Sequence, residues 1–477
     1  MTTQRITLPG LDDDEDRTLN MLLTQLDRKM ERNQLRAAYY DGKRAVEFFS
    51  DIIPPQYKRL AVVLGWSAKA VDILARRCNL DGFVWPDGDL ASIGYPRLDE
   101  GNALCAEVSQ AIVAALIHSC AFLITTKGGP GEPEALVHAK DAMSATGEWN
   151  ARTRRLDSVL SIIDRDEKGK PTELALYLDG VTITGRKDGG KWASDRSEHS
   201  WGVPAEVLVY KPRLGRPFGS SRISRTVMSL QNQALRTVTR MEGHADTFSW
   251  PEFWMLGADE SIFKNKTRFQ VMLGRIKGIP DDDDAENPRA DVKQFPAQSP
   301  TPHIEMLKQQ AQLFSGETSI PLTSLGVSDM SNPTSADSYI ASREDLIAEA
   351  EGATDDWTPP LRRTIARALA IANGEKVIPT EWASIDARWR SPVHLSRAAQ
   401  ADAGMKQLTA VPWLAETEVG LELLGLTKQQ ITRAMAQKRR LAGRGVLAAL
   451  QQQAAARTAA PTTIDPEVPN ADGNRPA

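Results

Sequence analysis

Apolar residues recur every three or four positions along several long segments, which is the spacing that predicts amphipathic helices. The longest unbroken stripe covers residues 223–245 and predicts one long helix, whose start Ser220 or Ser221 would cap. Another stripe covers residues 335–372 and ends at an Asn-Gly pair that stops a helix. Shorter helices are predicted over residues 17–40, 57–77, 102–117, 259–275 and 303–320, and residues 395–457 are mostly helical in pattern.

The middle of the chain carries strand patterns instead. Residues 172–187 alternate on both sides of Asp179-Gly180 and predict a hairpin, because an Asp-Gly pair accepts the positive φ of a tight turn. The apolar stretch 111–125 predicts a buried helix running into a buried strand rather than a membrane span. Further strands are predicted over residues 121–126, 156–166 and 207–213, and residues 81–89 are predicted to be a turn-rich link. The predicted fold class is therefore α+β and predominantly helical.

Two features stand out in and just before the second long stripe, which covers residues 335–372. Pro359 and Pro360 lie inside the stripe. Because two prolines remove two backbone donors and clash with the preceding turn, a sharp kink or break of the helix is predicted there. Residues 327–335, with the sequence VSDMSNPTS, form a soft polar loop just before the stripe, and by themselves they indicate an ordinary connection between helices.

Composition places the chain among ordinary globular proteins. It has 477 residues, of which 41% are hydrophobic and 25% charged, so two to four structural units are expected. The net charge of −4 disfavours tight, standing DNA binding, which relies on a basic excess, although transient contact with DNA stays open. An odd count of three cysteines without a CxxC pair argues against disulfides and thiolate zinc sites, and indicates an intracellular, reduced protein. The acidic start has no apolar signal core.

Catalytic motifs do not emerge from the sequence. There is no P-loop, HExxH or GxSxG pattern, so no catalytic, cofactor or metal site is predicted and the chain is not expected to be an enzyme. The aspartate runs at 12–16 and 281–284 are more typical of solvated loops than of cation sites. The helix over 427–444 is basic, and it would either meet DNA or an acidic partner or be a solvated helix face. Its candidate surface residues are Lys438, Arg439, Arg440 and Arg444.

Four stretches together resemble the portal proteins of tailed double-stranded DNA bacteriophages, in the long-tailed-phage branch. They are AAYYDGKRAV (37–46), LGWSAKAVDILARRCNLDGF (64–83) and the segments 215–259 and 319–351, and their order and spacing match over about residues 20–400. The resemblance implies a portal-type fold with the following parts: an acidic N-terminal arm (1–16), an α/β wing (17–258), stem helices (259–276 and 303–316), a clip (277–302), a tunnel loop region (317–335), a kinked wing helix and return (336–394), a helical crown (395–457) and a disordered tail (458–477).

The resemblance also implies a function. Copies of the chain, typically twelve, would form a ring at one capsid vertex, through which double-stranded DNA is packaged and ejected. The implied partners are the terminase large subunit, which would hydrolyse ATP, the major capsid and scaffolding proteins, and a head-tail connector or adaptor. No cofactor or membrane is implied, and the ring would be assembled in the host cytoplasm and become part of the virion.

The soft loop before the second stripe gains a role from the resemblance, as the tunnel loop that faces DNA. Its residues are Ser328, Asp329, Met330, Ser331, Asn332 and Pro333. Small polar side chains would touch a moving duplex without gripping it, whereas strong phosphate contacts would have to break at every step. Two other functions stay open: a nucleic-acid-processing enzyme that uses the aspartate runs, and a minor capsid or scaffold protein that forms no channel.

Overall fold

The computed structural model describes residues 5–43, 64–248, 252–256, 276–279, 291–295, 298–326, 343–393 and 397–458. The chain divides into two units, Met1–Pro392 and Val393–Ala477. The predicted tunnel loop residues, 328–333, lie outside the described residues.

The first unit combines helices with four sheets. Its helices are α1 (Asp13–Tyr40), α2 (Trp66–Ala75), α3 (Tyr95–Asn102), α4 (Leu104–His118), α5 (Arg225–Phe248), α6 (Thr301–Thr318) and α7 (Glu344–Ala372), with 3-10 turns at Leu322–Leu325 and Thr380–Ser384. Its strands are β1 (Leu80–Val84), β2 (Cys120–Lys127), β3 (Ala135–Asp141), β4 (Ala145–Asn150), β5 (Arg155–Arg165), β6 (Pro171–Leu178), β7 (Val181–Asp188), β8 (Lys191–Glu198), β9 (Ala205–Val209), β10 (Glu252–Leu256), β11 (Ile276–Ile279), β12 (Asp291–Phe295) and β13 (Asp386–Trp389). The α+β, mainly helical fold class predicted from the sequence is confirmed.

The core is layered, and the central layer is the three-stranded antiparallel sheet β3-β2-β9. Successive side chains of a strand point to opposite faces. Ala121 and Leu123 of β2 therefore pack with α4 and α7, while Phe122 packs with Val159 of a second sheet. The prediction of a buried helix running into a buried strand is confirmed, because α4 passes into β2 through a single left-handed residue, Ser119 (φ 92°).

The second sheet is a five-stranded meander, β4-β5-β6-β7-β8. Its central hairpin confirms the prediction at Asp179-Gly180: Leu178 pairs with Val181, and Gly180 has φ +74°. The face turned away from the central sheet packs on α1, with Leu19 against the cluster that contains Leu176. Strands β5 and β6 are thus buried on both faces, whereas the edge strand β8 is largely exposed.

The last residues of the expected acidic N-terminal arm (1–16) belong to α1. Asp12 caps α1 in a capping box with Glu15, and the helix begins at Asp13. Acidic side chains are favourable in the first turn because they face the positive end of the helix dipole. Leu8, just upstream, is only 2% exposed. Among the described residues, no group of three or more metal-ligating side chains is placed to hold an ion.

Two further local predictions were wrong. The cap of α5 is Ser224, whose hydroxyl accepts from the Val227 N–H at 3.1 Å, while the Ser221 hydroxyl donates to the Ile117 carbonyl. Residues 81–84 of the predicted link (81–89) belong to strand β1, paired antiparallel with β13, whereas turns follow from residue 85. That pairing joins segments about three hundred residues apart, so the local pattern around β1 contains no sign of it.

Helix α6 contains the predicted second stem helix and packs antiparallel to α5. The Ser224 hydroxyl donates to Glu317 at 3.1 Å near one end of the pair, and Gln310 donates to the Thr237 hydroxyl at 3.0 Å in the middle. Strand β10 continues from α5 and is the centre of a three-stranded sheet, parallel to β11 and antiparallel to β12.

This sheet lies in the segment expected to contain the end of the first stem helix and the clip. Ile276 lies in strand β11, so the stem helix predicted over 259–276 does not reach its expected end; residues 259–275 lie outside the described residues. Residues 252–256, assigned from the sequence to the wing, pair with β11 and β12, which lie almost entirely within the expected clip (277–302). The hydrogen bonds between strands distant in sequence decide this grouping.

Helix α7 runs without interruption through Pro359 and Pro360, so the predicted break does not occur. The lost donors leave the carbonyls of Asp355 and Asp356 without their intrahelical partners. Packing holds the helix together here, because Trp357 and Leu361 are almost fully buried on either side of the prolines. A kink without a break stays a prediction. The predicted helix end is confirmed, with Asn373 as the C-cap, followed by a left-handed glycine.

The second unit confirms the helical pattern predicted after residue 395. It contains α8 (Arg397–Ala410), a 3-10 turn (Pro412–Glu416), α9 (Glu418–Leu423) and α10 (Lys428–Thr458). Among the described residues of both units, no single helix is long and apolar enough to cross a membrane; α3 and α4 pass such a test only together, and they meet at a 55° bend.

Candidate functional site

A buried ionic cluster joins the central sheet to α7. The Glu349 carboxylate, 13% exposed, accepts from the Tyr210 hydroxyl at 2.5 Å and lies 2.5 Å from Lys211 Nζ through its Oε1 atom. Its Oε2 atom lies 2.6 Å from Arg222 Nη1, and the Arg222 side chain is 3% exposed. Three donors from the segments around β9 and α5 thus converge on one carboxylate.

Arg222 extends the cluster to two more helices. Its Nε atom donates to the Ala70 carbonyl in α2, and its Nη2 atom donates to the Thr318 carbonyl at 2.7 Å in the last residue of α6. Its Nη1 atom also donates to the Tyr210 hydroxyl at 2.9 Å. We call Tyr210, Lys211, Arg222, Glu349 and the carbonyls of Ala70 and Thr318 the junction.

The Glu349 carboxylate and the Arg222 guanidinium stabilise each other's charged form. Burial by itself would raise the pKa of Glu349, but the Arg222 charge and the hydrogen bonds from its three donors outweigh burial, and its pKa lies below the ordinary value. Burial would lower the pKa of Arg222, yet Tyr210 and Glu349 raise it overall. The junction therefore contains a stable carboxylate and a stable guanidinium at neutral pH.

The junction lies at the base of the predicted tunnel loop. The chain leaves Thr318 at the end of α6, passes through residues 327–342, which are outside the described residues, and returns to Glu349 in the second turn of α7. On the outgoing side, Lys69 donates to the Ser324 carbonyl at 2.8 Å. The structure therefore anchors both flanks of the loop to the same cluster of side chains.

A second ionic cluster anchors the other half of α7. Glu206 of β9, 7% exposed, lies 2.8 Å from Arg363 through Oε2 and 2.8 Å from Arg367 through Oε1. Between the two clusters, the Trp357 indole donates to the Val209 carbonyl at 2.8 Å. Strand β9 and its exit thus clamp α7 at three successive points, on both sides of the prolines.

The predicted basic surface is only partly assembled. Lys438 on α10 donates to the Glu416 carbonyl at 2.9 Å, so one of the four cations is engaged within its own unit. Arg439, Arg440 and Arg444 are exposed along the same helix. They share this part of α10 with apolar side chains that are also exposed: Leu441, Val446, Leu447 and Leu450. This part of α10 therefore exposes both basic and apolar side chains, and nothing in the described residues indicates what binds to it.

The sequence did not reveal the junction. Arg222 stands at the edge of an apolar stripe and Glu349 stands in an acidic stretch of α7, where each is compatible with a surface position. The only local signal was Arg222 beside Ile223 at the start of a core-facing stripe, because an arginine in such a position needs a partner.

Most of the chain is similar in sequence to known phage portal proteins. A family model described as phage portal protein, SPP1 Gp6-like, matches residues 19–439. The portal proteins of Mycobacterium phage L5 and Mycobacterium phage D29 are each 23% identical over 414 residues, which is 84% of this chain and 84% of the relative. Among solved structures, a chain in the neck of the native GTA particle has 13% identity and a TM-score of 0.41, over 76% of this chain and 90% of that chain.

Proposed function

The chain belongs to the family of SPP1 Gp6-like phage portal proteins, and from this premise we propose that twelve copies close into a ring through which double-stranded DNA enters and leaves a capsid. The observation that carries the proposal is the family match over residues 19–439, which includes most of both units. The ring is assembled in the host cytoplasm, occupies one capsid vertex and becomes part of the virion. It docks the terminase large subunit during packaging, and later the head-tail connector. During head assembly it contacts the scaffolding and major capsid proteins.

Within this ring, α5 and α6 act as the stem and the sheet β10–β12 acts as the clip. Support comes from the antiparallel packing of α5 on α6 and from the sheet that connects their ends. This assignment replaces the stem helix at 259–276 with α5, and it extends the clip to residues 252–295. Two long helices tied by one buried and one exposed side-chain hydrogen bond provide a stiff link between the wing and the docking end.

Residues 328–333 act as the DNA-facing tunnel loop. Support comes from the junction, which anchors α6 and α7 where the loop leaves and returns. A rigid base with a small polar tip suits a loop that must follow a moving duplex without binding it. The chain performs no chemistry in this process, and the docked terminase supplies the energy of ATP hydrolysis.

The ring itself is tested by light scattering and negative-stain imaging of the purified full-length chain. Each chain has a mass of 52.4 kDa, so a ring of twelve has a mass of about 600 kDa and a central opening. A monomer or dimer that cleaves DNA in a metal-dependent way would contradict the proposal and favour the nucleic-acid-processing enzyme. A closed assembly without an opening would favour a minor capsid or scaffold protein.

The tunnel loop is tested in packaging assays with two matched variants. Deleting residues 328–333 is expected to leave the ring intact but impair DNA packaging or retention, whereas a Gly/Ser replacement of equal length tests whether length alone suffices. The Ser328→Lys/Ser331→Lys variant adds two potential phosphate contacts, so it is expected to slow packaging at low salt and recover at high salt. Normal filled, stable heads from the deletion variant would show that the loop is assigned wrongly.

A further inference from the structure

An exposed leucine stands at the tip of a tight turn after β9. Arg213 and Arg216 exchange backbone hydrogen bonds of 3.2 and 2.8 Å, so Leu214 and Gly215 form a two-residue loop. Leu214 is 99% exposed. Two-residue turns normally use Asn, Asp or Gly, which suit the backbone and water, and an apolar residue at this position gains nothing from the fold of its own chain. We call residues 213–216 the Leu214 tip.

The tip is held rigidly at its base and is charged at its sides. The Ser220 N–H donates to the Tyr210 carbonyl at 2.9 Å and closes the base of the turn, and the neighbouring Lys211 is fixed to Glu349 of the junction. The side chains of Arg213 and Arg216 are exposed, and they form no hydrogen bond or ion pair with any residue in the described part of the chain. The tip therefore presents one isobutyl group between two cations that no described residue neutralises.

A cavity of about 350 Å³ lies against α7 and offers the complementary chemistry. Its lining includes the apolar side chains of Ala350, Trp389 and Pro392, and the carboxylates of Glu351 and Asp355. Its volume exceeds the ~150 Å³ that holds a benzene molecule in an engineered protein cavity, so a leucine side chain fits.

Two arginines and two carboxylates line this cavity. Arg390 lies 3.0 Å from the Asp81 carboxylate and is paired with it, whereas Arg77 donates to the neutral Pro392 carbonyl at 2.6 Å and keeps its positive charge. Within the described ranges, the Glu351 and Asp355 carboxylates form no ion pair. The cavity lining therefore combines apolar side chains with two carboxylates that no described residue pairs, and these match the apolar, basic tip, although the lining also includes the Arg77 charge.

The tip and the cavity lie on different sides of α7. Glu349 on α7 contacts Lys211 at the base of the tip. Glu351 and Asp355 lie two and six positions after Glu349. At 3.6 residues per turn, their side chains therefore point about 200° and 240° around the helix axis from Glu349. The buried stripe that contains Ala353 and Trp357 lies between these directions. One chain thus presents the tip on one flank of α7 and the cavity on the other, which is the arrangement that a head-to-tail ring requires.

We propose that the Leu214 tip of one subunit inserts into the α7 cavity of the next copy of the same chain, where Arg213 and Arg216 pair with Glu351 and Asp355. This contact deepens the ring function proposed above and rests on it. Apolar burial at the centre with charge pairs at the rim is the usual anatomy of a specific interface. The tip is therefore an anchor of each subunit interface in the ring.

The test measures the concentration of full-length protein at which half of it is assembled, by sedimentation velocity. Leu214→Asp and Arg213→Glu/Arg216→Glu are each expected to raise that concentration at least about tenfold, the shift given by loss of one central anchor. Val377→Asp is the matched control, because Val377 is 72% exposed and belongs to neither surface. Adding Glu351→Arg/Asp355→Arg to the Arg213→Glu/Arg216→Glu variant is expected to restore assembly, since both signs are then exchanged.

A cross-link tests the geometry directly. Thr354 also lines the cavity. In the Leu214→Cys/Thr354→Cys variant, oxidation is expected to link neighbouring copies into dimers and larger species on non-reducing gels, because disulfides require closely apposed Cα atoms. The unmodified chain, with its own three cysteines, is the control. A cross-link confined to single chains, or a Leu214→Asp variant that assembles like Val377→Asp, would overturn the tip-in-cavity contact while leaving the ring in place. Failure of the unmodified chain to form rings would instead refute the proposed function.

Discussion

Replacing Glu349 with glutamine keeps the shape of the junction and removes its only carboxylate. Arg222 then stays 3% exposed beside a neutral amide, while Lys211, which is 59% exposed, can turn toward water. Breaking a buried ion pair by removing one partner costs about 3–5 kcal/mol, because the remaining charge is left uncompensated. Arg222 keeps its bonds to the carbonyls of Ala70 and Thr318, so we expect the lower end, about 3 kcal/mol.

This loss is measured by native-state hydrogen exchange of the amides in the last turn of α6 and the first turns of α7, which reports the free energy of local opening. Asp386→Asn is the matched control. Asp386 forms an ion pair with Arg362, and their side chains are 43% and 39% exposed, respectively. An exposed ion pair of this kind contributes at most about 1 kcal/mol to stability. The reasoning is refuted if Glu349→Gln lowers the opening free energy no more than Asp386→Asn does.

The effect of Glu349→Gln should also depend on pH. The pKa of Glu349 in the folded chain lies below its ordinary value of 4.5, so the unfolded chain binds the proton more readily. The stabilisation from Glu349 is therefore complete above pH 4.5 and is lost as the pH falls through the folded pKa. The gap between the original chain and the variant should narrow in that acidic range; a gap that stays constant there would contradict the assignment of the charge to Glu349.

Three other changes test the surrounding structure. Glu206→Gln should lower the free energy of unfolding by about 3 kcal/mol in urea titrations, because the buried Arg367 loses its carboxylate; a loss below about 1 kcal/mol would contradict this. Gly219→Ala should lower it by about 2 kcal/mol or more, since φ is +66° and the new Cβ would lie 2.1 Å from the Tyr210 carbonyl oxygen; an unchanged melting temperature would contradict that contact. Burial lowers the pKa of His138 from 6.5 to about 4, so stability should rise with pH between those values, and His138→Gln should flatten that rise in melts taken across the range.

Local chemistry explains the elements that were predicted correctly. The Asp179-Gly180 turn, the passage from α4 into β2, and the end of α7 at Asn373 each depend on residues within one short stretch. Alternation, helical spacing and residues that accept positive φ act over a few neighbours, and they have the same meaning in every fold.

Each wrong prediction followed the local preference of a residue, but contacts with residues distant in sequence determined the structure. Ser221 has the chemistry of a helix cap, but its hydroxyl donates to the Ile117 carbonyl, so Ser224 caps α5 instead. Pro359 and Pro360 weaken a helix wherever they stand, yet packing against β9 preserves α7 through both. In each case a tertiary contact outweighed the intrinsic preference.

The sequence alone determined the kinds of elements, their order and the resemblance to portal proteins, because these depend on periodicity, turn residues and recurring motifs. The tertiary structure alone decided which strands pair across hundreds of residues, and it brought Arg222 to Glu349 and set the Leu214 tip and the α7 cavity on different flanks of one helix. Such arrangements depend on burial and hydrogen bonding between segments that lie far apart in the sequence. A charged side chain is recognised as part of a site only when its partner is seen beside it in the structure.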